Sequence, residues 1–225
     1  MKTLRQWVTG ALILAGAGAL GPLGSTAFAA GAMAAGGQGG TPMESQTMGS
    51  MPGMHMHMTV PETTRRIVSY TLPPVHLVRE DGKTVSLPDE LNDGRPVVMT
   101  FIYTTCTEIC PVISGTFAQL QSKLGADRDR VHLVSITIDP EHDTPARLAA
   151  YAKKFNAGPE WHHYSGTLAA SVAVQKAFNV YYGDKMDHTP VAFLRSAPGQ
   201  PWVRFDGFAT ADALMGELRG MLASR

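Results

Sequence analysis

The run Val97-Val-Met-Thr-Phe-Ile-Tyr103 leads straight into Thr-Thr-Cys106-Thr-Glu-Ile-Cys110-Pro111. An apolar run with so little polar alternation predicts a strand covered on both faces, the kind found at the centre of an α/β sandwich. Pro111 suits the first turn of a helix, because its fixed φ is already helical and its missing N–H is not needed there. The two cysteines therefore fall between the end of a buried strand and the start of a helix. They are the only cysteines in 225 residues, too few to staple a mini-protein, so the pair reads as chemical and not as structural.

From Ile67 onward, strand-like and helix-like segments alternate around that centre. Val75–Val78 and Thr84–Leu87 predict a β-hairpin turning at Asp81-Gly82. A helix is expected from Pro111 to about Leu124, with Phe117, Leu120 and Leu124 on one face, followed by a second buried strand over Val131–Ile138. Asp143-Thr-Pro145 caps a helix that runs through Phe155, and Leu168–Phe178 forms another; His162 and His163 flank a short strand between them. Val191–Leu194 and Trp202–Phe205 pair across Pro198-Gly199, and Ala211–Leu222 closes the chain. This order predicts one α/β domain over residues 67–225, a mixed central sheet flanked by helices, of which the thioredoxin-like fold is the obvious member.

Unpaired amides and the helix dipole at the start of the helix favour anions, which lowers thiol pKa and supplies thiolate. Thiolate is both a soft metal ligand and a redox nucleophile. With three residues between them, the two sulfurs can bond to each other or converge on one metal ion. A plain stabilising disulfide is the weaker reading, because so short a loop gains little entropy. Two sulfurs seldom complete a metal site, and the candidates for a third donor are His76, His132, His142, His162, His163 and His188. His76 reads as solvent-exposed, His132 as a half-buried structural residue, His142 as part of a charged turn, and His162 and His163 as packing residues. His188 differs, because its loop precedes Val191–Leu194, the strand whose start faces the cysteine helix in a thioredoxin-like fold. A proline at that start, Thr189-Pro190, predicts a cis bond bordering the dithiol.

Composition separates the N-terminal region from this domain. Lysines and arginines (19) balance aspartates and glutamates (19), so no net charge recruits nucleic acid, and a mean hydropathy of −0.04 excludes a multi-span membrane protein. Lys2 and Arg5, an apolar stretch from Trp7 to about Leu23, and Ala27-Phe28-Ala29 predict a signal peptide over residues 1–29, cleaved after Ala29. Glycines and Pro22 interrupt the stretch and make a retained membrane anchor the lesser alternative. Cleavage leaves 17 basic residues against 19 acidic, a net −2, and places the folded part outside the cytoplasm, in the periplasm or an equivalent compartment.

Residues 30–66 are rich in Gly, Ala, Met, Thr and Ser and predict a disordered tail and linker. Within it, Met43, Met48, Met51, Met54, His55, Met56, His57 and Met58 concentrate soft thioethers and imidazoles. The pattern points to copper, since thioether sulfur suits Cu(I) and imidazole serves Cu(I) or Cu(II).

Four segments together, the C-x3-C-P stretch, Ser135-Ile-Thr-Ile-Asp-Pro-Glu-His-Asp-Thr-Pro145, Ala149-Ala-Tyr-Ala-Lys153 and Asp187-His188, resemble the SCO/SenC family from about Tyr70 to the C-terminus. These are extracytoplasmic thioredoxin-like copper proteins that assist assembly of the CuA centre in subunit II of cytochrome c oxidase. The resemblance implies that Cys106, Cys110 and His188 bind copper and that Asp187 is an electrostatic partner of the histidine. The three donors are then expected near a common point. It further implies a monomeric copper chaperone whose recipient is the CuA domain of subunit II or another extracytoplasmic copper protein. A thiol–disulfide oxidoreductase acting through Cys106 and Cys110, keeping a partner's copper-ligand cysteines reduced, is the alternative; a thiol peroxidase is a distant third. The Met/His tail and the Thr-Pro after the histidine depart from the family's common pattern.

Overall fold

The computed structural model describes residues 63–224. The expected signal peptide and the Met/His segment over residues 43–58 lie outside the described residues. Eight strands form one mixed sheet: β1 (Thr64–Val68), β2 (His76–Arg79), β3 (Thr84–Ser86), β4 (Val97–Ile102), β5 (His132–Thr137), β6 (Trp161–Ser165), β7 (Val191–Arg195) and β8 (Trp202–Asp206), in spatial order β1-β8-β7-β4-β5-β6-β2-β3. Five helices accompany them: α1 (Leu87–Leu91), α2 (Ile109–Leu124), α3 (Pro145–Lys154), α4 (Leu168–Ala177) and α5 (Ala211–Ala223). Among the described residues no helix is long and apolar enough to cross a membrane.

β4 sits near the middle of the sheet, parallel to β5 and antiparallel to β7, and every one of its residues is buried. Its alternation divides the core. Val97, Met99 and Phe101 join Phe178, Phe193 and Trp202 on one face, while Val98 packs with Phe117, Leu120, Leu214 and Leu218 beneath α2 and α5 on the other. The run is continuously apolar because both faces need it. Thr100 is its polar exception, and its hydroxyl donates to the Val191 carbonyl at 2.7 Å, so burial leaves it satisfied. The helices start where short polar side chains cap them: Thr144 for α3, Thr167 for α4 and Thr210 for α5 each accept a backbone N–H of the first turn.

The structure differs from the sequence expectations in several places. β1 pairs antiparallel with β8 and begins at Thr64, three residues before the expected start of the domain. Thr-Arg-Arg-Ile-Val carries no apolar alternation because it is a mostly exposed edge strand, with Arg65 and Arg66 reaching Glu217 and Asp206. β6 is a full parallel neighbour of β5, so α3 is the crossover of a βαβ unit. α1 follows β3 directly, capped by Ser86. α2 starts at Ile109, two residues ahead of the expected Pro111.

The cis proline is a correction. Among the described residues no peptide bond is cis, so Thr189-Pro190 is trans. His188 is already extended (φ −60°, ψ 127°), and the Pro190 carbonyl accepts the Gly207 N–H at 2.9 Å. A trans bond carries that extended run straight into the β7–β8 ladder.

Candidate metal centre

Where β4 ends, the backbone turns through Tyr103–Cys106, closed by the Cys106 N–H on the Tyr103 carbonyl at 3.2 Å. The turn is held from below by Asp143, whose carboxylate is fully buried. It accepts the Thr104 N–H at 3.0 Å, the Thr104 hydroxyl and the Thr137 hydroxyl. One carboxylate thus ties the cysteine loop to the end of β5. Sequence reading gave Asp143 to the start of α3, but Thr144 is that helix's cap.

The two cysteines are free thiols with different surroundings. Glu108 contributes no side-chain cap to α2, and the Cys106 sulfur fills that place by accepting the Cys110 N–H at 3.4 Å. Burial works against a thiolate at Cys106. Hydrogen bonds from the Cys110 and Glu108 amides, the Cys110 thiol and the Tyr103 hydroxyl outweigh it and bring the Cys106 thiol below its ordinary value. Cys110 is fully enclosed among Ile102, Tyr103, Leu148 and Tyr151. Burial pushes its thiol well up, and its own hydrogen bond to Cys106 and the negative charges there push the same way. The helix start therefore activates one sulfur, Cys106. Cys110, the residue inside the helix, stays protonated because burial outweighs the helix start there.

His188 lies at the end of a 3-10 turn, Lys185–Asp187, and is 6% exposed. Its Nε2 stands 3.1 Å from the Phe101 carbonyl. A carbonyl can only accept, so that nitrogen carries the proton. Burial lowers the ring's pKa, only partly opposed by the Phe101 carbonyl, so the imidazole is neutral at pH 7. Nδ1 is then a buried lone pair, and it has no hydrogen-bond partner among the described residues. A neutral imidazole whose second nitrogen is oriented by a carbonyl is what a metal ligand requires.

Cys106 and His188 line one cleft of about 160 Å³ together with Tyr103, Glu108, Lys185 and Met186. The expected partner Asp187 is exposed, and the ring's orienting contact comes from Phe101 instead. None of the other candidate histidines lines this cleft. His76 is exposed on β2, and His142 pairs with Asp139 at 2.9 Å. His162 pairs with Glu80 at 2.8 Å, His132 contacts the Tyr164 hydroxyl at 3.1 Å, and His163 stacks on Trp161.

Cys110 sits behind Cys106 and does not border the cleft. Among the described residues no three His, Cys, Asp or Glu side chains stand gathered for a metal ion. The expected convergence of all three donors is therefore not present in this conformation. Sequence reasoning also missed Tyr103. Its hydroxyl lies 3.7 Å from the Met186 sulfur, and its interaction with Cys106 helps hold that thiol's pKa down. Burial, reinforced by the Cys106 contact and charge, raises the phenol to about 12.

A family model described as SCO1/SenC matches residues 66–223, nearly the whole described domain. The chain belongs to the SCO1/SenC family. It is 35% identical over 88 residues to the SCO1 protein homolog of Bacillus subtilis, a match that covers 39% of this chain and 45% of that protein. It is 29% identical over 146 residues to the mitochondrial SCO1 homolog 1 of Arabidopsis thaliana, covering 60% and 41%. The chain thus spans less than half the length of either curated relative. Two solved SCO structures, both with copper bound, superpose on it. Arabidopsis ScoI gives a TM-score of 0.58 at 28% identity, covering 68% of this chain and 98% of that one. Bradyrhizobium japonicum ScoI gives 0.57 at 28% identity, covering 66% and 98%.

Proposed function

We propose that this chain is an extracytoplasmic copper chaperone that takes copper as cargo on Cys106, Cys110 and His188 and delivers it to the CuA centre of cytochrome c oxidase subunit II. The observation that carries the reading is the unpartnered Nδ1 of buried, neutral His188, lining one cleft with the activated Cys106. Two soft sulfurs and an imidazole suit copper in either oxidation state. Family membership and the copper-bound relatives support the cargo, and the resemblance to SCO/SenC proteins supports the recipient. Because Cys110 lies behind Cys106, loading requires a local shift of the 106–110 loop that brings the second sulfur forward. The thioethers of residues 43–58 serve as a first catch for Cu(I) outside the domain. The test is copper stoichiometry on the purified full chain and on Cys106→Ser, Cys110→Ser and His188→Ala. Loss of the tight equivalent in each variant supports the reading; its retention in all three ends it.

A second reading has its own observation. An activated Cys106 over a protonated Cys110 is the arrangement of an attacking and a resolving thiol. Cys106 thiolate would open a partner disulfide to a mixed disulfide. Cys110 would then release its proton, attack the Cys106 sulfur and free the partner as a dithiol, with two electrons passing from this chain. Turnover of a disulfide substrate by the reduced, copper-free protein separates this activity from metal delivery.

A further inference from the structure

We propose that Met186 supplies a thioether donor to copper at this centre, a Cu(I)-selective ligand at its solvent side. The inference deepens the chaperone reading and rests on it. A methionine that merely fills a core is covered, whereas Met186 is 70% exposed and borders the same cleft as Cys106 and His188. The turn that carries it is pinned. Its own N–H donates to the Asp184 carboxylate at 2.9 Å, and the neighbouring Lys185 ammonium pairs with Asp139 at 2.6 Å.

The thioether already touches a wall of the cleft that Cys106 borders. The Tyr103 hydroxyl lies 3.7 Å from the Met186 sulfur, and Tyr103 and Cys106 border the same cleft. An ion entering beside Cys106 gains a second soft donor by displacing this hydroxyl from the Met186 sulfur, and His188 lines the same cleft. Thiolate and imidazole accept Cu(I) and Cu(II) alike, but an uncharged thioether favours Cu(I). Lying outside the buried Cys110, Met186 is the first donor that an entering ion meets and the last that a departing ion leaves.

The test uses the full chain, reduced and anaerobic, with its methionine methyl groups carbon-13 labelled. The Met186 methyl resonance is assigned by its absence from Met186→Leu, which keeps the tail's methionines from confusing the readout. The first equivalent of Cu(I) should shift that resonance to saturation, and the shift should vanish in the Cys106→Ser/Cys110→Ser variant. Met186→Leu should bind Cu(I) about tenfold more weakly and Cu(II) within about twofold of the parent. Copper bound at the cysteines with an unmoved Met186 methyl, or equal loss of both affinities in Met186→Leu, overturns the proposal and leaves the chaperone reading standing. Cu(I) added beyond saturation of the tail that perturbs neither the cysteines nor Met186 overturns both.

Discussion

Replacing Asp143 by asparagine removes the charge that holds the cysteine loop to β5 while keeping the shape of the side chain. The buried carboxylate accepts three hydrogen bonds, two from Thr104 and one from Thr137. Bonds to an ionised group contribute about 1.5–3 kcal/mol each, against about 1 kcal/mol for neutral pairs. The amide keeps one acceptor oxygen, and its NH2 group faces the Thr104 hydroxyl, which must turn round to accept. Easier burial of a neutral group offsets part of the loss. The net expectation is about 2–3 kcal/mol, or about 5–10 °C in Tm for a domain of this size. Thr144→Ala, which removes only the α3 cap, should cost about 1 kcal/mol. Thermal and urea melts of the reduced proteins compare the two, and alkylation followed by mass spectrometry should show faster modification of Cys110 in Asp143→Asn as its cover loosens. If Asp143→Asn melts no lower than Thr144→Ala and Cys110 stays as protected as in the parent, Asp143 belongs to the helix cap and not to the cysteine loop.

Acid should destabilise the fold in a defined window. Burial holds His132 and His163 near about 4, against an ordinary value of 6.5. Protons therefore favour the unfolded chain, and stability present above pH 6.5 falls as the pH drops toward 4, by up to about 3 kcal/mol per histidine. Urea melts across that range should show the slope, and His163→Phe should make it shallower. Under limiting iodoacetamide Cys106 should be modified well before Cys110, with a rate midpoint below that of an ordinary thiol; equal rates would contradict the asymmetry. In the tail, Cu(I) binding should survive replacement of both cysteines by alanine and persist at mildly acidic pH, because thioethers have no proton to gain. A double variant binding none would reduce residues 43–58 to a linker.

The parts of the fold that follow from local periodicity were legible in the sequence. β4, β5, α2 and α5 are runs whose apolar spacing states their burial, and the C-x3-C-P stretch locates the loop between β4 and α2. What was not legible depends on residues distant in sequence. β1 is exposed and charged, and only pairing with β8 makes it a strand. Asp143 looks like a helix cap until β5 and the loop after β4 are brought beside it. The unequal pKa values of Cys106 and Cys110 follow from which sulfur meets the amides and which lies under Tyr151, and spacing does not encode that. His188, singled out by its place before β7, lines the cleft with Cys106, but its orienting partner is the Phe101 carbonyl of β4 and not the adjacent Asp187.

The central claim is that Cys106, Cys110 and His188 together hold copper for delivery. Its most direct test is X-ray absorption at the copper edge of the loaded full chain, before Cu(I) transfer to a reduced, copper-free CuA domain is started. The account predicts one tightly held ion with sulfur and imidazole nitrogen neighbours at about 2.0–2.3 Å. His188→Ala should lose the nitrogen contribution and hold the ion more weakly. A parent spectrum without nitrogen, or one that His188→Ala leaves unchanged, would contradict the assignment of His188 and with it the three-residue site.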